Sequence, residues 1–225
     1  MRVVVVGASG GCGKQLVQQA VRRGHQVTAV ARATSKLEVP PGVTVDRGDV
    51  TAVEFLRGAV RGHDGVLSAL GLKIAGLMPW NRPEDATFLS RSTRALIDAC
   101  KAEGVRRVIA ISAGGVRDSF EKVPGAFRFL IRVTALKVAY AQLADMESQL
   151  MASGLDVCIP RPTGLTDGPV TNQVVVTERL VGRATISRAD VAAWMLDQLT
   201  LPTFEQRTPM ITVTGAVASS GNRHV

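Results

Sequence analysis

Four consecutive valines, Val3 to Val6, run directly into Gly7-Ala8-Ser9-Gly10-Gly11-Cys12-Gly13, and helical spacing begins at Lys14. Four β-branched residues bounded by glycine predict a strand buried on both faces, the environment of a central strand in a parallel sheet. Leu16, Val17, Ala20 and Val21 then share one apolar helical face, and Arg22-Arg23-Gly24 supplies a basic stop. The unit is therefore strand, tight glycine turn, helix.

Such a turn aims free backbone N–H groups and the positive end of a helix dipole at one point, where a pyrophosphate is both hydrogen-bonded and charge-compensated. Gly7 takes the tight turn, Gly10 removes a side chain that would hold the diphosphate away, and Gly13 allows the helix to pack closely on the strand. Ser9, Gly11 and Cys12 complete the candidate phosphate-facing segment. The triphosphate loop G-x-x-x-x-G-K-[ST] does not fit, because Ala8 stands at its first glycine and Gln15 at its Ser/Thr. An ordinary tight βα turn is the competing account of the glycines taken alone.

At 225 residues the chain can bury a full core. A single domain is expected over 1–217, with a small, polar, disordered tail over 218–225. No apolar run approaches the roughly 20 residues that span a bilayer, and the amino terminus enters the first strand without a signal-peptide pattern. Cys12, Cys100 and Cys158 are odd in number and lack metal-ligand spacing, as expected for reduced thiols of a cytoplasmic protein without a metal site. The net charge of +8 comes from arginines scattered along the chain, and aromatics make up only 4% of residues. A solvated basic surface fits this distribution better than a nucleic-acid interface, which needs stacking platforms. The expected partner is a small-molecule substrate, with no nucleic acid or membrane, for a monomer or homodimer.

Further strands are expected over Gln26 to Ala31, Val43 to Asp46, Gly65 to Leu70, Arg107 to Ser112, Leu155 to Ile159 and Met210 to Thr214. Helices are expected over Ala52 to Val60, Pro83 to Glu103, Leu136 to Ser153 and, capped by Ser187, through Leu199. This alternation predicts an α/β fold, a Rossmann-type doubly wound parallel sheet with helices on both faces and a small C-terminal substrate region. Leu72 to Asp85 and Gly114 to Thr134 interrupt the repeat. They are expected to pack on the sheet edge or a second subunit, or to wall a pocket; a membrane-surface helix over Ala126 to Lys137 is a weaker alternative.

The end of the second strand selects the dinucleotide. An acid there binds a ribose 2′-hydroxyl, whereas an arginine pairs a 2′-phosphate. Here Ala31 is followed by Arg32-Ala33-Thr34-Ser35-Lys36, with no carboxylate. A guanidinium offers a phosphate bidentate hydrogen bonds, so NADP(H) is expected over NAD(H). The alternative is an exposed arginine that merely ends a strand.

Gly7-x-x-Gly10-x-x-Gly13, Arg47-Gly48-Asp49-Val50, Ser68-Ala69-Leu70-Gly71, Ile111-Ser112-Ala113, Ser153-Gly154-Leu155-Asp156, Arg161-Pro162 and Thr185-Ile186-Ser187-Arg188-Ala189-Asp190-Val191-Ala192 together resemble the atypical short-chain dehydrogenase/reductases. Within them the chain resembles the NAD(P)H-binding group that holds biliverdin reductase B, a flavin reductase, and the NmrA-like proteins. The resemblance implies that Asp49 and Val50 lie by the adenine and that Ala69, Leu70 and Gly71 line the adenosine side. It also implies that Ser112 ends the strand nearest the nicotinamide, with Pro160, Arg161, Pro162 and Thr163 bordering the ring. The position of Ser112 at a strand's carboxyl end points the same way.

The departure concerns proton transfer. Typical members use Tyr-x-x-x-Lys, but the single tyrosine, Tyr140, is followed four residues later by Ala144, and Lys137 lies one turn before it. Ser112 and Tyr140 are carried as the candidate catalytic hydroxyls. Asp145 and Glu147 are read as solvated helix charges in preference to a proton relay, and no histidine base is evident. The expected activity is NADPH-dependent reduction of a flat conjugated acceptor such as a flavin or quinone, which needs no strong protein acid. The alternatives are an NADP(H)-binding redox sensor without turnover and, further off, an NAD-dependent sugar-nucleotide epimerase.

Overall fold

The computed structural model describes residues 1–72, 76, 78, 80–81, 85–180, 182 and 184–213. Strand β1 (Arg2–Val6) leads into helix α1 (Gly11–Arg22), followed by β2 (Gln26–Ala31), β3 (Thr44–Arg47), α2 (Val53–Val60), β4 (Gly65–Ser68) and α3 (Phe88–Ala102). Then come β5 (Arg107–Ala110), a 3-10 turn over Arg117–Lys122, α4 (Gly125–Val133), α5 (Leu136–Ala152) and β6 (Asp156–Cys158). Four short strands, β7 (Arg161–Pro162), β8 (Gly164–Thr166), β9 (Val174–Thr177) and β10 (Thr185–Ser187), precede α6 (Arg188–Thr200) and β11 (Met210–Val213).

The main sheet has the order β3-β2-β1-β4-β5-β6, and its strands pair parallel throughout. The direction of winding reverses between β1 and β4, which opens a crevice at their carboxyl ends. The valine run explains why β1 is central. Val4 and Val6 point into a core shared with Leu56 of α2, Leu89 and Leu96 of α3, and Met146 and Leu150 of α5. Val3 and Val5 point into the opposite core, with Leu16 and Val17 of α1 and Val191, Met195 and Leu199 of α6. All four valines are fully buried, each contributing about 1.5–3 kcal/mol of transfer free energy. One polar substitution there would expose neither face to water and so would bury an unpaired group.

The helix expected from Pro83 begins at Phe88, behind an Asp85 carboxylate that accepts hydrogen bonds from Thr87 N and Oγ1 at 2.8 and 2.7 Å. Residues 82–84 and much of the Leu72 to Asp85 loop lie outside the described residues, as do Thr214 and the expected tail. The carboxyl-terminal part differs from a simple continuation of the repeat. β11 lies between β7 and β9, parallel to the first and antiparallel to the second, in a sheet of its own. β8 and β10 form a two-stranded parallel pair. β11 matches the strand expected from Met210, whereas β7 to β10 are two to four residues long and carry no periodicity that a sequence pattern could detect. Among the described residues no helix is long and apolar enough to cross a membrane.

Candidate functional site

The glycine turn is fixed by two close approaches. Gly7 has φ +81°, and a Cβ there would lie 2.8 Å from the Ala69 carbonyl oxygen. A Cβ on Gly13 would lie 2.2 Å from the Gly7 carbonyl oxygen. Side chains at either position would push α1 off β1 or off the end of β4. Ala69 N donates to Val6 O at 2.8 Å, so Ala69 and Leu70 border the turn directly. Helix α1 starts with Gly10 as its N-cap, without a side-chain cap and without an acidic residue in its first turn. Its first N–H groups and its dipole are thus left to an anion, and the cradle fits a diphosphate. Ser9 and Gly10 are accessible at its mouth, whereas Cys12 is buried and its thiol is pushed up to about 11 by burial, against the lowering effect of Arg188.

Arg32, Thr34, Ser35 and Lys36 join Ser9 and Gly10 around one cavity of about 380 Å³. The loop is closed by Ser35 N donating to Arg32 O at 3.0 Å, and Arg47 Nη1 donates to Ser35 O at 2.7 Å. Two cationic side chains therefore face the glycine turn, and no carboxylate lines the space between them. A larger depression, about 780 Å³, is lined by residues such as His63, Arg106, Arg107 and Asp156. It lies at the amino ends of β4, β5 and β6, away from the crevice where ligands of such sheets dock. His63 is held there by Thr28 Oγ1 at 2.9 Å and the Arg61 carbonyl at 3.0 Å.

On the adenosine side, Asp49 closes a local turn. Its carboxylate accepts from Thr51 N and Oγ1, both at 2.8 Å, and these bonds hold it below the ordinary carboxylate range. Val50 turns its side chain into the core beneath. Gly71 is exposed at the end of β4.

Ser112 follows β5, and its N–H donates to Pro160 O at 2.9 Å, while Gly114 N donates to Pro162 O at the same distance. Ser112 and the segment Pro160 to Thr163 are thus brought together, as the resemblance implies. The side chains of Arg161 and Thr163 have protein partners. Arg161 turns inward, its Nε and Nη2 donating to the two Glu147 carboxylate oxygens at 2.9 and 2.7 Å, and Nη2 also to Asp118 Oδ1 at 2.9 Å. Thr163 faces Thr212, with the hydroxyls 3.4 Å apart.

Glu147 corrects the sequence reading. It is 1% exposed and is not a solvated helix charge. The Ser112 hydroxyl donates to its Oε1 at 2.6 Å. Burial works against the charge of Arg161, but the hydrogen bonds and charges of Glu147 and Asp118 outweigh it and hold the guanidinium above its ordinary value. Asp145, in contrast, sits at the surface side of α5 and accepts from Gln149 Nε2 at 2.9 Å. Tyr140 is committed elsewhere: its hydroxyl donates to Gly114 O at 3.1 Å, and burial raises its pKa. A phenol made harder to ionise is the opposite of the acidified tyrosine in Tyr-x-x-x-Lys.

Arg188, the first residue of α6, reaches the glycine turn. A Cβ on Gly11 would lie 2.6 Å from its Cδ and 2.8 Å from its Nε. Its Nη1 donates to Asp167 Oδ1 at 2.8 Å. Ser187 caps the helix, Oγ accepting from Asp190 N at 2.9 Å, and Asp190, fully buried, accepts from Thr171 N at 2.7 Å. Arg188 lies between Ser187 and Asp190, and nothing in its sequence spacing signals contact with a turn at the other end of the chain.

Residues 7–202 match the NAD(P)H-binding family. The chain belongs to that family. An uncharacterized chloroplastic protein of Arabidopsis thaliana is 30% identical over 209 residues, 88% of this chain and 71% of that protein. A 3-beta-hydroxysteroid dehydrogenase of Mycolicibacterium neoaurum is 29% identical over 73% of this chain, which spans 47% of that enzyme's length. Among solved structures, the anaerobilin reductase ChuY of Escherichia coli O157:H7 superposes with a TM-score of 0.76 at 22% identity, covering 97% of this chain and 100% of that one. A Veillonella parvula short-chain dehydrogenase/reductase in complex with NADP also gives 0.76, at 19% identity over 96% and 95% of the two chains. These solved structures establish the Rossmann-like fold.

Proposed function

We propose that the protein is an NADPH-dependent reductase of a flat conjugated acceptor, such as a flavin or quinone, built as one domain over 1–217. The observation that carries the cofactor choice is the carboxylate-free cavity that sets Arg32 and Lys36 beside Ser9 and Gly10. Arg32 would pair a 2′-phosphate, the α1 amino terminus and Arg188 would hold the diphosphate, and Asp49, Val50, Ala69, Leu70 and Gly71 would border the adenosine. Ser112 and the backbone of Pro160 to Thr163 would frame the nicotinamide end. The solved neighbours that carry NADP or reduce anaerobilin support this reading by fold.

NADPH, when bound, supplies the hydride. The protein's part is orientation and shielding: Ser112 is fixed by Glu147, and Tyr140 is tied to a backbone carbonyl, so neither stands as an acidified proton donor. A conjugated acceptor takes its proton from solvent, which is why such an acceptor suits this site better than an alcohol or ketone pair. The protein is read as cytoplasmic.

A redox sensor without turnover is the second reading. Trp80, Phe129 and Met78 are 74%, 66% and 55% exposed and lie in the two segments that interrupt the repeat, as an interaction face would. Steady-state NADPH oxidation with FMN, riboflavin and quinones separates the readings: acceptor-dependent turnover is expected, and tight NADPH binding with no turnover would refute the reductase.

A further inference from the structure

Glu147 and its partner Arg161 are both ionic and sealed from water in the candidate site, and the bonds of Glu147 decide what Ser112 can do. Arg161 occupies both carboxylate oxygens, Nε on Oε1 at 2.9 Å and Nη2 on Oε2 at 2.7 Å. A carboxylate so held has only lone pairs to offer, so the hydrogen of the 2.6 Å contact comes from Ser112. A serine hydroxyl owns one hydrogen and two lone pairs. Its hydrogen is spent inward on a charged acceptor, the stronger kind of hydrogen bond, and its backbone N–H is spent on Pro160 O. What remains at the carboxyl end of β5 is a pair of lone pairs.

We propose that Glu147 is a positioning residue that fixes Ser112 as an obligate hydrogen-bond acceptor, so that the site selects a ligand presenting an N–H donor there. The proposal rests on the reductase reading above and deepens it. Two groups carry that chemistry: the carboxamide NH2 of the nicotinamide, and the imide or lactam N–H of a heterocyclic acceptor. A quinone, which has no such hydrogen, is then a poorer acceptor than a flavin-like ring. The polarity also explains why the serine is paired with a buried ion pair when a simple strand-end hydroxyl would satisfy the backbone.

Two comparisons on the full-length protein test this. In the first, dissociation constants are measured for NADPH and for its 3-acetylpyridine analogue, which keeps the carbonyl but replaces NH2 by methyl. In the second, kcat/KM with NADPH is measured for riboflavin and for 3-methylriboflavin, which lacks the imide N–H. The wild type is expected to favour the N–H-bearing partner in at least one comparison by about threefold to tenfold, the worth of one hydrogen bond. Discrimination in the first assigns the carboxamide as the donor, and in the second the acceptor ring. Ser112→Ala, which leaves the ion pair intact, should bring that ratio to about one. The double variant Glu147→Leu/Arg161→Met frees the hydroxyl to rotate and donate, and should also collapse the ratio. A purely structural role for Glu147 would change both members of a pair alike and leave the ratio unmoved, so loss of stability in the double variant does not mimic the result.

No discrimination by the wild type in either comparison, or discrimination that survives in Ser112→Ala or in the double variant, overturns the proposal. NADPH binding without turnover would refute the reductase reading while the first comparison still decides the role of Ser112. Failure to bind NADPH would overturn both.

Discussion

Arg161 and Glu147 form a two-pronged ion pair in the interior, with side chains 3% and 1% exposed and contacts of 2.9 and 2.7 Å. They lie on different elements, β7 and α5, and so tie the short carboxyl-terminal sheet to the helix that covers β5 and β6. Removing Arg161 strands the Glu147 carboxylate away from water, and removing Glu147 leaves the buried guanidinium with only the exposed Asp118 as a charged partner. Glu147→Ala is expected to cost about 3–5 kcal/mol, whereas Glu147→Leu/Arg161→Met, which removes both charges, should cost markedly less than the sum of its single changes. Urea unfolding of the four proteins checks this, and additive losses would show that the two groups are not coupled.

Asp118 shares Arg161 from the solvent side. The hydrogen bond from Arg161 holds its carboxyl below the ordinary value of 3.8, with burial opposing. A carboxyl depressed on folding adds stability that is complete above the unfolded value and is lost as pH falls through the folded one. Asp118→Asn should therefore flatten the decline of thermal stability below about pH 4 and leave the slope near neutrality unchanged. An unaltered acid slope would mean that the contact does not hold in solution.

Arg32 stands in the cavity beside Ser9 and Gly10. A charged hydrogen bond to a 2′-phosphate is worth about 1.5–3 kcal/mol, so Arg32→Ala should weaken NADPH by roughly 10- to 100-fold and NADH little. Fluorescence titration of both dinucleotides reads the difference. Equal losses would remove Arg32 from the 2′-phosphate site.

Arg188 crosses the start of α1 while paired with Asp167, whose side chain is 93% exposed. A diphosphate would offer Arg188 a stronger partner than a solvated carboxylate. Arg188→Ala is expected to lower affinity for NADPH and NADH alike by about tenfold. Asp167→Asn, which removes the competing acceptor, should raise both. The common effect on the two dinucleotides distinguishes this contact from that of Arg32.

Much of the frame was legible because its signals are local. Gln26–Ala31 forms a strand with the expected bounds, and Ser187 caps the last helix as expected, since β-branched runs and an Ser-x-x-Asp turn act over a few residues. α3 starts later than the expected Pro83, because Pro83, Asp85 and Thr87 are all acceptable start signals and only the fold selects Thr87 as the N-cap. The burial of Glu147 is not legible for a different reason: on a helix of weak amphipathicity a charge looks like surface until its partner is known, and the partner, Arg161, lies on a strand of two residues.

The sequence by itself determined the doubly wound sheet, the glycine turn at its centre and the absence of an acid after β2, because each depends on neighbours in the chain. Tertiary structure alone decided the polarity of Ser112, the burial of Glu147 and the reach of Arg188 to Gly11. Those features are made by side chains from separate elements meeting in space. Their energies come from desolvation and directional hydrogen bonds, which have no period in a sequence.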